Sequence, residues 1–255
     1  LLSDTAHQGK PVSGPNWWSL HDLLAWRRGD ALSVQQIQQN GWTPADPDIR
    51  THISVNNQSR QAESGKIFQT TGLTMWQKPS KAQPFPDERI GILAGIDGDI
   101  SLPLLNLGGE RRLANIAPHA TWPTRPSNLV DSIAASGVFT LTFLTPALFN
   151  GGWLPHWLDQ ETLTGTPPCC QTLKVRLRAA ALERWLPQSG WDLAKRRPRA
   201  AQKMIPAGAT YWFDIVGEAP ESDIEALWFA HVCDEAQHNR NGFGLVLPAA
   251  DSVNS

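Results

Sequence analysis

The residues with the most chemical content are a run of cations. From Lys174 to Lys203 there are nine basic side chains (Lys174, Arg176, Arg178, Arg184, Lys195, Arg196, Arg197, Arg199 and Lys203) against Glu183 and Asp192 alone. That is a surplus of seven on a chain whose formal net charge is -2, so the remainder carries -9. Such a block suits a polyanion held at one face, because phosphate contacts need clustered Lys and Arg. Charge alone equally allows a solvated basic loop. Two glycine motifs add to it: Gly108-Gly109 before Glu110, Arg111 and Arg112, and Gly242-Phe243-Gly244 after Asn239, Arg240 and Asn241. Glycines let backbone amides approach a phosphate, and an aromatic between them can stack on a base. The plain alternative for Gly242-Phe243-Gly244 is a turn into the last strand with Phe243 buried.

Covalent and metal chemistry find less support. The seven histidines are scattered, and no G-x-S-x-G, H-E-x-x-H or phosphate-loop signature occurs. His52, beside Arg50 in a strand pattern, is the one conceivable general base for RNA cleavage, although a lone His is more often structural or RNA-contacting. Cys169, Cys170, His231, Cys233 and His238 lack the C-x-x-C pairing of structural zinc sites. Asp97-Gly98-Asp99 fits a hairpin turn better than a cation loop. The expectation is no metal and no cofactor.

These residues need elements to hold them. Trp17 to Trp26 has helical spacing, and Arg50–Val55 and Lys66–Trp76 read as two strands joined by a polar tip, a long hairpin. Arg89–Ile96 and Leu113–Ile116 read as further strands, and Pro118–Pro126 marks a domain boundary. Beyond it the pattern predicts strands at Val138–Leu144, Gln171–Ala179 and Ala209–Ile215, a helix at Asp223–Val232, a turn at His238–Asn241 and a last strand at Leu245–Leu247. In the strand from Gln171, the cations Lys174, Arg176 and Arg178 alternate with Leu173, Val175 and Leu177, which puts all three on one face. Trp185–Arg199 reads as an exposed basic hairpin or loop. The fold class expected is α+β.

Composition sets the remaining bounds. With 41% hydrophobic and 18% charged residues the chain is globular rather than disordered. The longest apolar stretch, Val138–Phe149, is interrupted by Thr140, Thr142, Thr145 and Pro146 and is shorter than the roughly 20 residues of a membrane span. No export signal is evident, and three cysteines make no disulfide framework, so a cytoplasmic setting is expected. Twelve Trp against one Tyr also fit a carbohydrate-binding β module, which the basic block disfavours.

Six segments together resemble the Cmr subunit three proteins of the repeat-associated mysterious protein (RAMP) superfamily, found in type III-B CRISPR effectors. They are Arg50–Phe68, Leu107–Arg111, Leu144–Pro155, Ser189–Pro198, Ile205–Tyr211 and Gly242–Gly244, in the family's order. The equivalent Cas five-type subunit of subtype III-D is a competing assignment. The resemblance implies two ferredoxin-like (RRM-related) domains, the first over 1–128 with a protruding β-hairpin at 50–76, the second over 129–255 ending in a glycine-rich loop. The family's opening segment has no counterpart before Leu1, so the first domain is expected to be incomplete and its isolated stability low. The implied role is non-catalytic: capping the foot of the complex and gripping the 5' repeat-derived tag of the crRNA, with the large Cas ten-type subunit and a backbone RAMP subunit as partners. Carried over by position, Arg50, His52, Arg60 and Lys66 of the hairpin lie nearest the RNA. Lys195, Arg196, Arg197, Arg199 and Lys203, with Gly242, Phe243 and Gly244, cradle the tag, and Lys174, Arg176 and Arg178 add to the basic face. Competing readings are a RAMP-type, metal-independent crRNA-processing endoribonuclease and a structural assembly subunit.

Overall fold

The computed structural model describes residues 14–15, 17–43, 46–75, 91–108, 112–118 and 122–251. The chain groups into two compact units, one drawn from residues up to Asp22 and Leu32–Thr124, the other from Leu23–Ala31 and residues from Arg125 onward. The elements are small antiparallel sheets with a few short helices, an α+β protein.

Helix α1 (Leu20–Arg27) follows Ser19, whose hydroxyl accepts the Asp22 N–H at 3.1 Å. Helix α2 (Val34–Asn40) is capped in the same way by Ser33. In the first unit the Asp22 carboxylate, 1% exposed, accepts amide hydrogens from Asn40 and Gln36, each at 2.9 Å. Those bonds, Asn40's foremost, hold its carboxyl down at about 2.

Strands β1 (Asp48–Val55) and β2 (Ala62–Gly72) form a two-stranded ribbon with Asp48 opposite Gly72 and Val55 opposite Ala62. The sequence pattern places the returning strand at Lys66; it starts four residues earlier. Both faces of the ribbon are largely open, so the polar Glu63 and Ser64 enter the strand at no burial cost, and Ser54 donates to Glu63 Oε2 at 2.8 Å. Gly65, expected at the end of the tip, instead sits inside β2 at φ +74, and the register shifts between Ile53 and Val55 on the facing strand. The tip is an Asx turn: Asn56 Oδ1 accepts the N–H groups of Gln58 and Ser59 at 2.9 and 3.0 Å. Trp76 lies outside the described residues.

Short strands β3 (Leu104–Asn106) and β4 (Leu113–Asn115) make a second ribbon, closed by the Leu107 N–H donating to Arg112 O at 2.9 Å. The strand expected over Arg89–Ile96 is a correction: residues 91–96 are exposed coil, and Arg89 and Ile90 lie outside the described residues. An apolar run becomes a strand only where a neighbour takes its amides, and Gly91–Ile96 has none among the described residues. Asp97-Gly98-Asp99 is accordingly a bend rather than a hairpin turn between strands.

The second unit holds the core. After helix α3 (Leu129–Ser136), strand β5 (Val138–Phe143) is buried along its whole length. The next elements are β6 (Ala147–Leu148), β7 (Thr164–Gly165), β8 (Val175–Ala181), β9 (Leu186–Gln188), β10 (Trp191–Asp192), β11 (Arg197–Pro198), β12 (Gln202–Ile205) and β13 (Thr210–Ile215). Helices α4 (Glu221–Ala226) and α5 (Ala236–Arg240) and strand β14 (Val246–Ala250) complete the unit. The main sheet runs β14-β5-β13-β8-β7, every pairing antiparallel. Phe139, Leu141, Phe143, Tyr211 and Phe213 fill it, with Phe143 and Tyr211 edge to face at 5.2 Å.

Two boundaries differ from the sequence pattern, each for a visible reason. β8 begins at Val175 rather than Gln171 because the amides of Gln171, Thr172 and Leu173 donate to the carboxylate of Asp223, at 2.9, 2.7 and 2.7 Å, instead of to a strand. The helix expected over Asp223–Val232 stops at Ala226, and Phe229 then takes a left-handed φ of +52. The turn expected at His238–Asn241 overlaps the end of α5.

Candidate nucleic-acid interface

The cations picked out in the sequence fall into three groups with different electrostatics. On the β1–β2 ribbon, cross-strand partners share a face, so Arg50, His52, Lys66, Phe68 and Thr70 lie together. Arg50 is bound to Asp48 at 2.9 Å, a carboxylate it shares with Arg112 at 3.4 Å, and Lys66 is bound to Glu63 at 2.5 Å, so both cations already hold acidic partners. The His52 ring stacks on Phe68, centroids 5.1 Å apart and 14° from parallel, and its Nε2 lies 2.9 Å from Thr70 Oγ1. Apart from that hydroxyl, no hydrogen bond or ion pair joins the His52 ring to another side chain among the described residues. Arg60 sits at the exposed tip with a left-handed φ of +57.

The second group lies on β8. Val175 and Leu177 are buried while Arg176 and Arg178 are exposed, as the alternation predicts. Both arginines reach one carboxylate, Asp214 on β13, at 3.1 and 3.9 Å. The sequence pattern contained Asp214, but only the pairing of β13 with β8 places it across from Arg176. Lys174, just before the strand, is exposed and free of an acidic partner among the described residues.

The third group is an arm. β9 pairs with β12, with Leu186 opposite Met204 and Gln188 opposite Gln202. The ribbon then continues through Arg199 N–H to Gly190 O at 2.8 Å into the β10–β11 pair, Trp191 opposite Pro198 and Asp192 opposite Arg197. At its end Asp192 Oδ1 accepts the Lys195 N–H at 2.9 Å, and Arg196 adopts φ +48. Met204 and Ile205 are buried at the root, whereas every residue from Leu193 to Lys203 is exposed. Lys195, Arg196, Arg197, Arg199 and Lys203 form no ion pair among the described residues. Asp192, Lys195, Arg197 and Arg199 line one shallow concavity on the arm. Lys203 lies over the Trp185 ring at 5.3 Å.

Gly242-Phe243-Gly244 sits at the arm's root. Met204 and Ile205 of β12 pair with β6, and Pro146, just before β6, accepts the Gly244 N–H at 2.8 Å. The Gly242 and Phe243 amides donate to Asn239 and His238 carbonyls, so all three amides are occupied within the chain. Phe243 is half-buried against the core. Gly244 has φ +70, and a Cβ there would lie 2.6 Å from Cys233 Sγ and 3.0 Å from Cys233 N, so both its left-handed backbone and its close approach to Cys233 favour glycine.

Metal-ligating groups do not converge. Among the described residues no three His, Cys, Asp or Glu side chains gather. Cys169 and Cys170 lie Sγ to Sγ at 3.8 Å, and Cys233 is buried, its thiol pushed up to about 11 by burial.

The described residues thus make an α+β protein with a cationic arm that carries no ion pair among them, rooted beside a glycine turn. The family is settled by comparison: the chain matches the CRISPR-associated protein (Cas_Cmr3) family over residues 2–249, and it belongs to that family. Among solved structures it is similar to a chain in the cryo-EM structure of the Type III-B Cmr-beta bound to cognate target RNA, at 16% identity and a TM-score of 0.36. That similarity covers 66% of this chain and 44% of the other, so the chain spans less than half the length of the protein it matches. No curated protein matches it.

Proposed function

We propose that this protein is a non-catalytic RNA-binding subunit of a type III CRISPR-Cas interference complex, one that caps the foot of the complex and grips the 5' repeat-derived tag of the crRNA. The observation that carries the reading is the arm, where five cations stand exposed without acidic partners among the described residues. Cations paired with carboxylates gain little from a phosphate, because the existing partner must first be displaced; unpaired ones release counterions at once. Family membership supplies the setting. In this reading the partners are the crRNA, the large Cas ten-type subunit and a backbone RAMP subunit, and the complex works in the cytoplasm.

The architecture proposed is two ferredoxin-like domains, 1–128 and 129–255, the first bearing the hairpin at 50–76. For the second domain, the support is the order of its four longest strands. Numbered one to four in sequence, β5, β8, β13 and β14 follow the order four, one, three, two across the sheet, all antiparallel, with α4 before the last. The test is binding of crRNA with and without its 5' tag to the purified chain, alone and with neighbouring effector subunits, scoring retention and cleavage. Tag-dependent retention without cleavage is expected. Metal-independent cutting would point instead to a processing endoribonuclease, and retention only beside subtype III-D subunits would move the assignment to that subtype.

A further inference from the structure

We propose that Trp191 is a base-stacking residue of the arm, so that the arm holds single-stranded RNA by base as well as by phosphate. The inference rests on the RNA-binding reading above. Trp191 is 56% exposed in β10, and no ring or cation covers it among the described residues. The other exposed tryptophan of the arm, Trp185, has Lys203 over its ring, and Trp17, equally exposed, packs against Trp42 at 6.4 Å. Trp191 therefore presents an open aromatic face where cations lack carboxylate partners.

Its position suits one nucleotide. Trp191 shares a face of the ribbon with its partner Pro198, while the next pair, Asp192 and Arg197, points to the opposite face. Neighbouring strands lie only about 4.8 Å apart. A nucleotide carries its base and its phosphate on different sides of the ribose, so a strand crossing the ribbon's edge can lay a base on Trp191 and a phosphate on Arg197 or Arg199. Every base has a π-face, so the stacking favours single strands without selecting a base. Leu193, 84% exposed, continues the apolar side at the tip.

The experiment is anisotropy titration of the full chain with a fluorescein-labelled single-stranded RNA and with an abasic ribose-phosphate strand of equal length, for wild type, Trp191→Ala, Trp191→Phe and a variant with Lys195, Arg197 and Arg199 changed to Ala. Trp191→Ala is expected to lose roughly 5- to 150-fold in RNA affinity with an unchanged salt slope, Trp191→Phe to retain most of it, and the abasic strand to bind wild type and Trp191→Ala alike. If Trp191→Ala binds RNA as wild type does while the cation variant is weakened, the stacking role is overturned and the RNA reading stands. If wild type binds neither strand, both fall.

Discussion

At the scale of single residues, the charge of a side chain mattered less than the company it keeps. Lys174, Arg176, Arg178 and the arm cations look alike in the sequence, yet Asp214 answers two of them and no described residue answers the arm. Replacing Arg176 and Arg178 with Ala is therefore expected to change RNA affinity far less than replacing Arg197 and Arg199, a contrast that parallel binding titrations at one salt concentration will read. Two buried carboxylates make predictions about stability. Asp223 collects three backbone amides and the Thr172 hydroxyl, and those amide bonds, Gln171's foremost, hold its carboxyl below the usual range. Asp223→Ala leaves the buried Leu173 amide, and the Gln171 and Thr172 amides beside it, without that acceptor and is expected to cost about 1–3 kcal/mol in denaturant unfolding. Asp22 is held at about 2, so its contribution is fully present above the ordinary carboxyl pKa near 3.8 and is lost as pH falls toward 2. The melting-temperature gap between wild type and Asp22→Asn should accordingly close over that window. Neither anchor was legible beforehand, because an Asp that binds amides far along the chain leaves no local pattern.

Among elements, those whose residues alternate against a core could be read in advance. The strands at Val138–Phe143 and Thr210–Ile215 and the outward arginines of β8 all follow from period two over a buried face. Boundaries set by distant partners could not, as with the late start of β8 and the early end of α4. The basic arm was legible as an exposed charged segment, but its division into four short strands depends on β12 reaching both β6 and β9. Since only Met204 and Ile205 enter the core, replacing residues 191–198 with a short Gly-Asn turn is expected to leave the thermal midpoint within a few degrees and to abolish most RNA affinity. A collapse of the midpoint would mean that the arm is part of the folding unit.

At the scale of the whole chain, the two units differ in how they are held. The second encloses a continuous aromatic and aliphatic core, whereas Asp22 is the only buried residue among the described residues of the first. Ile49, Ile53 and Ile67 of the first unit's ribbon are all more than half exposed, and a two-stranded ribbon is marginal by itself in water. Hydrogen exchange on the free chain should show fast exchange through β1 and β2 and slow exchange through β5, β13 and β14, with β1 and β2 slowing when effector subunits or crRNA bind. The most direct test of the central claim is the salt dependence of RNA affinity for wild type and for the variant with Lys195, Arg196, Arg197 and Arg199 changed to Ala. The arm predicts weaker binding and a shallower slope of log affinity against log salt, by roughly 0.7 for every phosphate of a single strand that the variant no longer neutralises. Unchanged affinity with an unchanged slope would contradict it and make the arm a solvated loop.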